Sequence, residues 1–239
     1  MAPDQTRRVS GAAVAEPVPE SRSALPWVLP FVVFAALLAV QHWTLPFGRW
    51  EFPLRVALLA AVLWAFSRRV ITFATRKAAT SVGIGLLVFA IWIAPDVVFP
   101  GYRQQWPFQN SITGTLQSSI DTPLLNDPMV LFFRSVRAIL LVPIVEELFW
   151  RGWLMRWIVN TEFWRVPLGA WSPRAFWITA VLFSSEHGPY WDVGLVAGVI
   201  YNWWMVRTRS LGDCILAHAV TNAALSAYVI ARGEWQYWL

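Results

Sequence analysis

The chain has few charged residues for its length and very little cysteine. Only 14% of its 239 residues are charged and 57% are hydrophobic, whereas a soluble domain usually carries about 25% charged residues. The single cysteine, Cys214, excludes a disulfide within one chain and a metal site built from several cysteines. These shortages exclude an ordinary soluble domain and a disulfide-stabilised scaffold.

In place of charge, the sequence has a series of long apolar runs separated by basic loops. Runs of about 18 or more apolar residues with few charges are typical of membrane-spanning helices. We predict an all-α fold, a polytopic transmembrane helical bundle with about seven spans. Pro143 lies inside the fourth span and is expected to kink it. The predicted spans are 25–45, 52–66, 80–99, 129–157, 175–187, 193–206 and 211–231.

The chain divides into three predicted segments. Residues 1–24 are polar and rich in Pro, Ser and Arg, which indicates a disordered cytoplasmic tail. Residues 25–128 contain N-terminal transmembrane helices and a polar loop that should lie outside the hydrocarbon, and residues 129–239 form a helical core. The basic loops fall on one side of a seven-span protein, which places the N-terminus in the cytoplasm. They also explain the net charge of +5 without a nucleic-acid partner.

Ionisable side chains occur inside three of the predicted spans. Each costs about 2.5–3.5 kcal/mol at the centre of a bilayer on insertion scales, so it is expected to face a partner or a polar cavity. The three segments are "VEELFWRG", "FSSEHG" and "LAHAVTNA", and their candidate residues are Glu146, Glu147, Arg151, His187, His218 and Asn222.

Helical spacing separates the roles of the two adjacent glutamates. Glu147 and Arg151 are four residues apart on one face, so they can neutralise each other. Glu146 is rotated by about 100° from Glu147 and has no local partner. Structural explanations stay open, because this pair can be a simple ion pair and a histidine or asparagine in a span can be an interhelical hydrogen bond. Glu186 is expected to be solvated rather than catalytic, and His42 to lie with Trp43 at the membrane interface.

Taken together, these segments resemble a known family. "EELFWR" fits the E-E-x-x-x-R signature, "FSSEH" the F-x-x-x-H motif and "HAVTN" the H-x-x-x-N motif of the CAAX prenyl protease and bacteriocin-processing (CPBP or Abi) family of intramembrane proteases. The Trp-rich composition is similar to a bacterial branch of CAAX-protease-related proteins associated with exosortase systems. The resemblance covers about residues 132–228. It implies an integral protein of the bacterial inner (plasma) membrane, with the catalytic core in residues 129–239.

The resemblance also implies an activity. The protein would be an intramembrane endopeptidase that hydrolyses a peptide bond near the C-terminus of a membrane-associated peptide, with or without a lipid. Glu146 would activate a water molecule, and His187 would hold that water or carry its proton. His218 and Asn222 would donate hydrogen bonds to the oxyanion. A shared site of this kind requires His187 to lie close to Glu146 or His218.

The remaining motif residues and the cofactor follow from the same resemblance. Glu147 and Arg151 would brace the helix and orient Glu146. The protein would need no cofactor if Glu146 activates water directly. Alternatively, Glu146, His187 and His218 would bind Zn²⁺, with water as the fourth ligand. The sequence leaves both mechanisms open.

Two other functions stay open. In the first, the protein would be a non-catalytic membrane scaffold or immunity protein of the same family. In the second, it would be a proton-coupled transporter, because intramembrane Glu and His also mark proton paths. The sequence has no internal repeat of the kind that many transporters show. The expected partners are membrane lipids and a membrane-associated peptide substrate, and the oligomeric state is open.

Overall fold

The computed structural model describes residues 22–40, 45–116 and 118–238, and this part of the chain contains helices and no strand. The predicted all-α fold is therefore confirmed. Residues 1–21 of the predicted tail, together with His42 and Trp43, lie outside the described residues. The helices are α1 Leu25–Ala39, α2 Glu51–Val62 continued by Leu63–Ser67, α3 Ala78–Val98, α4 Pro128–Trp157, α5 Pro173–Ser185, α6 Trp191–Thr208 and α7 Leu211–Arg232.

Four of these helices are long and apolar enough to cross a membrane. They are α2 with its preceding turn, α3, α4 and α7, whereas α1 is apolar but has only 15 residues. Helix α5 has 13 residues, which extend about 20 Å and fall short of the roughly 30 Å hydrocarbon core. The protein is thus a helical membrane protein with several spans, and the number of about seven stays a prediction.

Helix α4 carries the charged motif and runs unbroken over 30 residues. It begins at a cap in which Asp127 Oδ1 accepts from the backbone N–H of Met129 at 2.8 Å, and Pro128 follows at the first helical position. Two stretches of the helix are wound as π-turns, Arg137–Leu141 and Leu148–Leu154. Such turns are frequent at functional sites, and here they lie on either side of the two glutamates.

The first π-turn is a consequence of Pro143. The N–H of Val142 bonds to the Arg137 carbonyl, five residues back, instead of the Ala138 carbonyl four residues back. The next donor along the chain would be Pro143, which has no N–H. At the position of the predicted kink the structure has this π-turn, which leaves the Ala138 carbonyl without a backbone partner and open to a side chain from another helix. The kink itself stays a prediction.

The N-terminal helices pack into the same hydrophobic core as the C-terminal ones. Trp27 of α1, Leu59 of α2 and Val88 of α3 belong to one buried cluster with Leu148 of α4 and Met205 of α6. Lipid tails are as apolar as the side chains of the helices, so no hydrophobic driving force brings membrane helices together. Their association depends instead on close packing, which small residues at the contact allow. Residues on both sides of the predicted boundary at 128 therefore contribute to holding the charged motif in place.

Helices α3 and α7 approach each other closely at Gly85. A methyl group at this glycine would meet the Ala217 carbonyl oxygen and would lie 2.7 Å from Val220 Cβ. The Gly85 carbonyl accepts a hydrogen bond from Thr221 Oγ1 at 2.8 Å. This contact fixes the depth and rotation of α7, the helix that carries His218.

Gly85→Ala is expected to lower the thermal stability of the protein in detergent, because overpacking of this kind costs about 1–3 kcal/mol. Gly83→Ala is a matched control on the same helix, since a methyl group there meets nothing within 4 Å. The control should be neutral or stabilising by up to about 1 kcal/mol. Melting curves of the two variants test this, and equal midpoints would contradict the close approach of α3 and α7.

The polar connection between α3 and α4 folds back onto the start of α6. Arg103 is buried and donates to Asp96 at 3.0 Å, to Asp192 at 2.7 Å and to the Pro189 carbonyl at 2.7 Å. Burial by itself lowers the pKa of Arg103, but the hydrogen bonds and charges of Asp192 and Asp96 more than offset it and raise that pKa above its ordinary value. This network ties the connection to the segment that follows His187.

Candidate active site

A buried ion pair of α4 lies at the centre of the candidate site. Arg151 Nη1 donates to Glu147 Oε1 at 3.0 Å, and both side chains are 0% exposed. The same carboxylate oxygen lies 2.9 Å from His218 Nδ1 on α7. The predicted pairing of Glu147 with Arg151 is present, and the pair also holds a histidine from another helix.

Arg151 is held on its other side by α6. Its Nε donates to Asn202 Oδ1 at 2.9 Å, and its Nη2 donates to the Gly198 carbonyl at 3.4 Å. Asn202 in turn donates from Nδ2 to the Phe176 carbonyl of α5 at 2.8 Å. Sequence reasoning missed Asn202, because one asparagine in an apolar helix has no spacing relation to an arginine on a different helix. These contacts fix α4, α5, α6 and α7 relative to one another.

Glu146 has surroundings very different from those of Glu147. Its side chain is 7% exposed, and its Oε2 has no hydrogen-bond partner among the described residues. His218 Nε2 lies 4.0 Å from this Oε2, which is too long for a direct hydrogen bond. A polar contact of this length can be completed by a water that binds both groups. Glu146 is thus the carboxylate without a local partner, as its helical position predicts.

The His218 ring is oriented by an aromatic ring and by a carboxylate. Its ring stacks on Tyr201, with centroids 5.1 Å apart and an interplanar angle of 23°. The Tyr201 hydroxyl lies 2.7 Å from Thr221 Oγ1, so the tyrosine is itself held in place. An ionised Glu147 can only accept a hydrogen bond, so Nδ1 of His218 carries the hydrogen of their contact. The other ring nitrogen, Nε2, therefore faces Glu146.

His187 follows α5 and reaches the same region. Its Nδ1 lies 2.7 Å from the Phe183 carbonyl, and because a carbonyl only accepts, this nitrogen carries a hydrogen. In the neutral imidazole the lone pair is then on Nε2. The ring packs between Trp92, at 5.2 Å between centroids, and Phe183, at 4.7 Å. The structure places His187 beside Glu146, as a shared site requires.

Glu186 is a third carboxylate group at the site. The residue is exposed, as predicted, but its Oε1 accepts a hydrogen bond from Trp150 Nε1 at 3.1 Å. One ligand atom each from Glu146, Glu186 and His187 lies within 4.8 Å of the others. Sequence reasoning did not place Glu186 at the site, because its direction depends on how α5 ends and on Trp150 of a different helix.

This group bears on the metal alternative. Within the described part of the chain, the converging set contains Glu186 in the position that the resemblance gives to His218. His218 stands apart because Glu147 binds its Nδ1 and its Nε2 is 4.0 Å from Glu146. The set consists of two carboxylates and one imidazole, which suits a divalent cation. The other nitrogen of the imidazole is hydrogen-bonded to a carbonyl, as is usual for a histidine that binds a metal. The residues present therefore fit a metal ion, with Glu186 as the third ligand.

Asn222 lies one turn beyond His218 and contacts α4. Its Nδ2 donates to the Ala138 carbonyl at 2.8 Å, the carbonyl that the π-turn before Pro143 leaves without a backbone donor. One of its two amide hydrogens is therefore committed to joining α7 to α4, and the second is left for a ligand. The predicted contact of Asn222 with an oxyanion stays a prediction.

A cavity of about 180 Å³ joins these groups. Its volume is enough for several water molecules, since one buried water needs roughly 10–15 Å³ of such space. Apolar side chains from α1, α3 and α7 form much of its wall. The charged, imidazole and amide side chains that line it are Arg134, Arg137, Glu146, His187, His218 and Asn222, and the hydroxyl-bearing ones are Tyr201, Thr221, Ser226 and Tyr237.

Comparison with known families places this region. A family model described as type II CAAX prenyl endopeptidase, Rce1-like, matches residues 128–224. This match makes residues 128–224 similar to that family. All three motifs lie inside the matched range, so the resemblance to the CAAX protease family is confirmed there, and the Rce1-like region supports a peptidase of the CAAX protease kind. No curated protein and no solved structure matches the chain.

Proposed function

We propose that the protein is an intramembrane endopeptidase that cuts a membrane-associated peptide, with or without a lipid, near its C-terminus. Residues 129–239 would be the catalytic core. The observation that carries the proposal is the buried Glu146 carboxylate, which has a free oxygen facing a cavity and a histidine on a braced helix nearby. Glu147 differs from Glu146 in that its Oε1 is engaged by both Arg151 and His218, so Glu146 is the glutamate of the two that is left to act on a bound water.

The reaction begins with a water held between Glu146 and the Nε2 atom of His218. Glu146 takes a proton from this water while the water oxygen bonds to the peptide carbonyl carbon. His218 in its imidazolium form, paired with Glu147 through Nδ1, donates Nε2–H to the developing oxyanion. The carbon–nitrogen bond then breaks, and protonated Glu146 returns the proton to the leaving amine.

His187 has a different part in this scheme. Its Nδ1–H is committed to the Phe183 carbonyl, so the lone pair on Nε2 can accept a hydrogen bond from the attacking water. Glu147 and Arg151 position the catalytic groups and do not react. If a metal ion is bound, Glu146, Glu186 and His187 would hold it, and it would supply Lewis-acid activation of water.

The location of the protein is part of the proposal. We place it in the bacterial inner membrane with its N-terminus in the cytoplasm, following the distribution of basic loops. Membrane lipids and a membrane-associated peptide are then its partners. Reporter fusions at the N-terminus and in the loop before α3 would test this orientation, and labelling from the outer side would contradict it.

Reconstituted cleavage tests the activity. Purified protein in liposomes is expected to release a short C-terminal fragment from a lipid-anchored peptide, detected by mass spectrometry, and to do so equally well after treatment with a chelator. No cleavage of any peptide in a varied panel by folded protein would contradict the proposal. Proton flux that the peptides do not affect would favour a transporter instead.

The same experiment identifies a metal if one is used. Loss of cleavage on chelation and recovery with Zn²⁺ would contradict direct activation of water by Glu146 alone. In that case Glu186→Gln should lower the zinc affinity by at least about 10- to 100-fold, which is the usual effect of changing only the outer groups that orient metal ligands. Zinc measured by elemental analysis gives this result independently of activity.

A further inference from the structure

Two arginines of α4 line the same cavity as Glu146 and His187, although the motifs do not include them. Arg134 and Arg137 are three residues apart and lie toward the start of the helix. Arg137 is 6% exposed, and Arg134 is half-buried. From the sequence, these residues are only basic residues near the outer end of a span.

Neither arginine has a carboxylate partner in the part of the chain that the structure describes. The Nε atoms of both are buried and have no hydrogen-bond partner there. Glu51, the acidic side chain whose charge reaches Arg137, is already 2.8 Å from Arg55 Nε. Arg134 has an aromatic contact, with its guanidinium carbon 5.3 Å from the centre of the Trp238 ring. A ring face does not neutralise two guanidinium charges.

Buried positive charge of this kind calls for an anion. Leaving a buried charge without a partner is strongly unfavourable, and the planar guanidinium group with its parallel donors suits a carboxylate. Both arginines line the cavity that holds the Glu146 carboxylate, so an anion that reached them would share that cavity with a bound peptide.

The separation along α4 says where the anion would lie relative to the cut. Arg137 precedes Glu146 by nine residues, a rise of roughly 14 Å at 1.5 Å per residue. An extended peptide covers about 3.3 Å per residue. The interval between the arginines and Glu146 therefore matches about four to five residues of substrate. Apolar side chains such as Leu38, Val142 and Leu225 line the cavity and suit an apolar segment.

We propose that Arg134 and Arg137 bind the free C-terminal carboxylate of the substrate and so set how many residues are released. The inference rests on the proposed peptidase activity and adds to it the group that the enzyme recognises. It makes the protein selective for chain ends over internal segments. The two arginines are binding residues, and Glu146 acts on a bond a fixed distance away.

The test compares two synthetic peptides that differ only at their C-terminus. Both carry an N-terminal palmitoyl anchor and the same randomised apolar end, in vesicles of phosphatidylethanolamine and phosphatidylglycerol, and one ends in a carboxylate and the other in an amide. For the unmodified protein, kcat/KM is expected to be about 10- to 100-fold lower for the amide, the usual effect of losing hydrogen bonds to a charged group. The loss should appear mainly in KM.

Variants assign this preference to the arginines. Arg137→Gln and, separately, Arg134→Gln should lower kcat/KM for the carboxylate peptide and bring the ratio of the two peptides toward one. Arg137→Lys should keep part of the preference. Arg165→Gln, an exposed arginine on the link after α4, is the matched control and should keep all of it.

Each outcome has a distinct meaning. Equal cleavage of the two peptides by the unmodified protein would overturn the inference and leave the proposed peptidase activity intact. No cleavage of either peptide would instead contradict the peptidase. A preference that survives in both arginine variants would overturn the assignment. A cleavage rate that depends on phosphatidylglycerol but not on the C-terminal group of the peptide would indicate that the arginines bind a lipid headgroup. That result would also overturn the inference.

Discussion

Glu146→Gln is expected to lower kcat/KM for peptide cleavage by about 10²–10⁴-fold, the usual contribution of a general base. Glutamine has almost the same shape as glutamate but cannot take a proton from water. The fold should tolerate the change, because the Oε2 atom of Glu146 has no hydrogen-bond partner to lose within the described residues. The variant should therefore be well folded and inactive.

Cleavage assays in liposomes, with thermal melting of the same samples, measure both parts of this expectation. Glu162→Gln is the matched control, because Glu162 lies on the link after α4 in a surface pair with Arg165. The control should cleave at the rate of the unmodified protein. Full activity of Glu146→Gln, or full cellular function without cleavage, would favour a non-catalytic scaffold.

Arg151→Ala is expected to destabilise the protein by about 3–5 kcal/mol, the cost of leaving a buried charge without its partner. The arginine and Glu147 are both 0% exposed, and the variant leaves Glu147 with only His218 on its carboxylate. Expression and the thermal midpoint in detergent should both fall sharply. This is the largest stability effect that we expect from one side chain at the site.

The double variant Glu147→Leu with Arg151→Met separates bracing from orientation. Replacing a buried ion pair by apolar residues of similar size is often neutral or stabilising, so much of the thermal stability should return. Activity should not return, because His218 Nδ1 loses the carboxylate 2.9 Å away that orients it. A stable and active double variant would show that the pair has no role in positioning His218.

The parts of the site that follow from local spacing could be predicted from the sequence. Glu147 and Arg151 are four residues apart, and that spacing alone brings them together on a helix. The same geometry leaves Glu146 unpaired. The helices also follow from apolar runs and from capping residues such as Asp127 and Ser172.

Contacts between helices could not be predicted in the same way. The contact of Glu147 with His218 and the place of Glu186 beside Glu146 depend on the rotation and tilt of separate helices. Asn222 shows the limit well, because its bond to the Ala138 carbonyl exists only where a π-turn has freed that carbonyl. A period of 3.6 residues does not describe such a turn.

The π-turn before Pro143 has a further consequence for the helical phase of α4. Arg134 precedes Glu146 by twelve residues, and in a regular helix the two would point about 120° apart. A π-turn takes up about one extra residue, which reduces that angle to about 20°. Through this π-turn, Pro143 changes the rotation of the helix so that Arg134 lies on nearly the same side of α4 as Glu146. In a relative with the same motifs but without this π-turn, a residue at the position of Arg134 would point away from the glutamate. The substrate would then meet a different charge at this place.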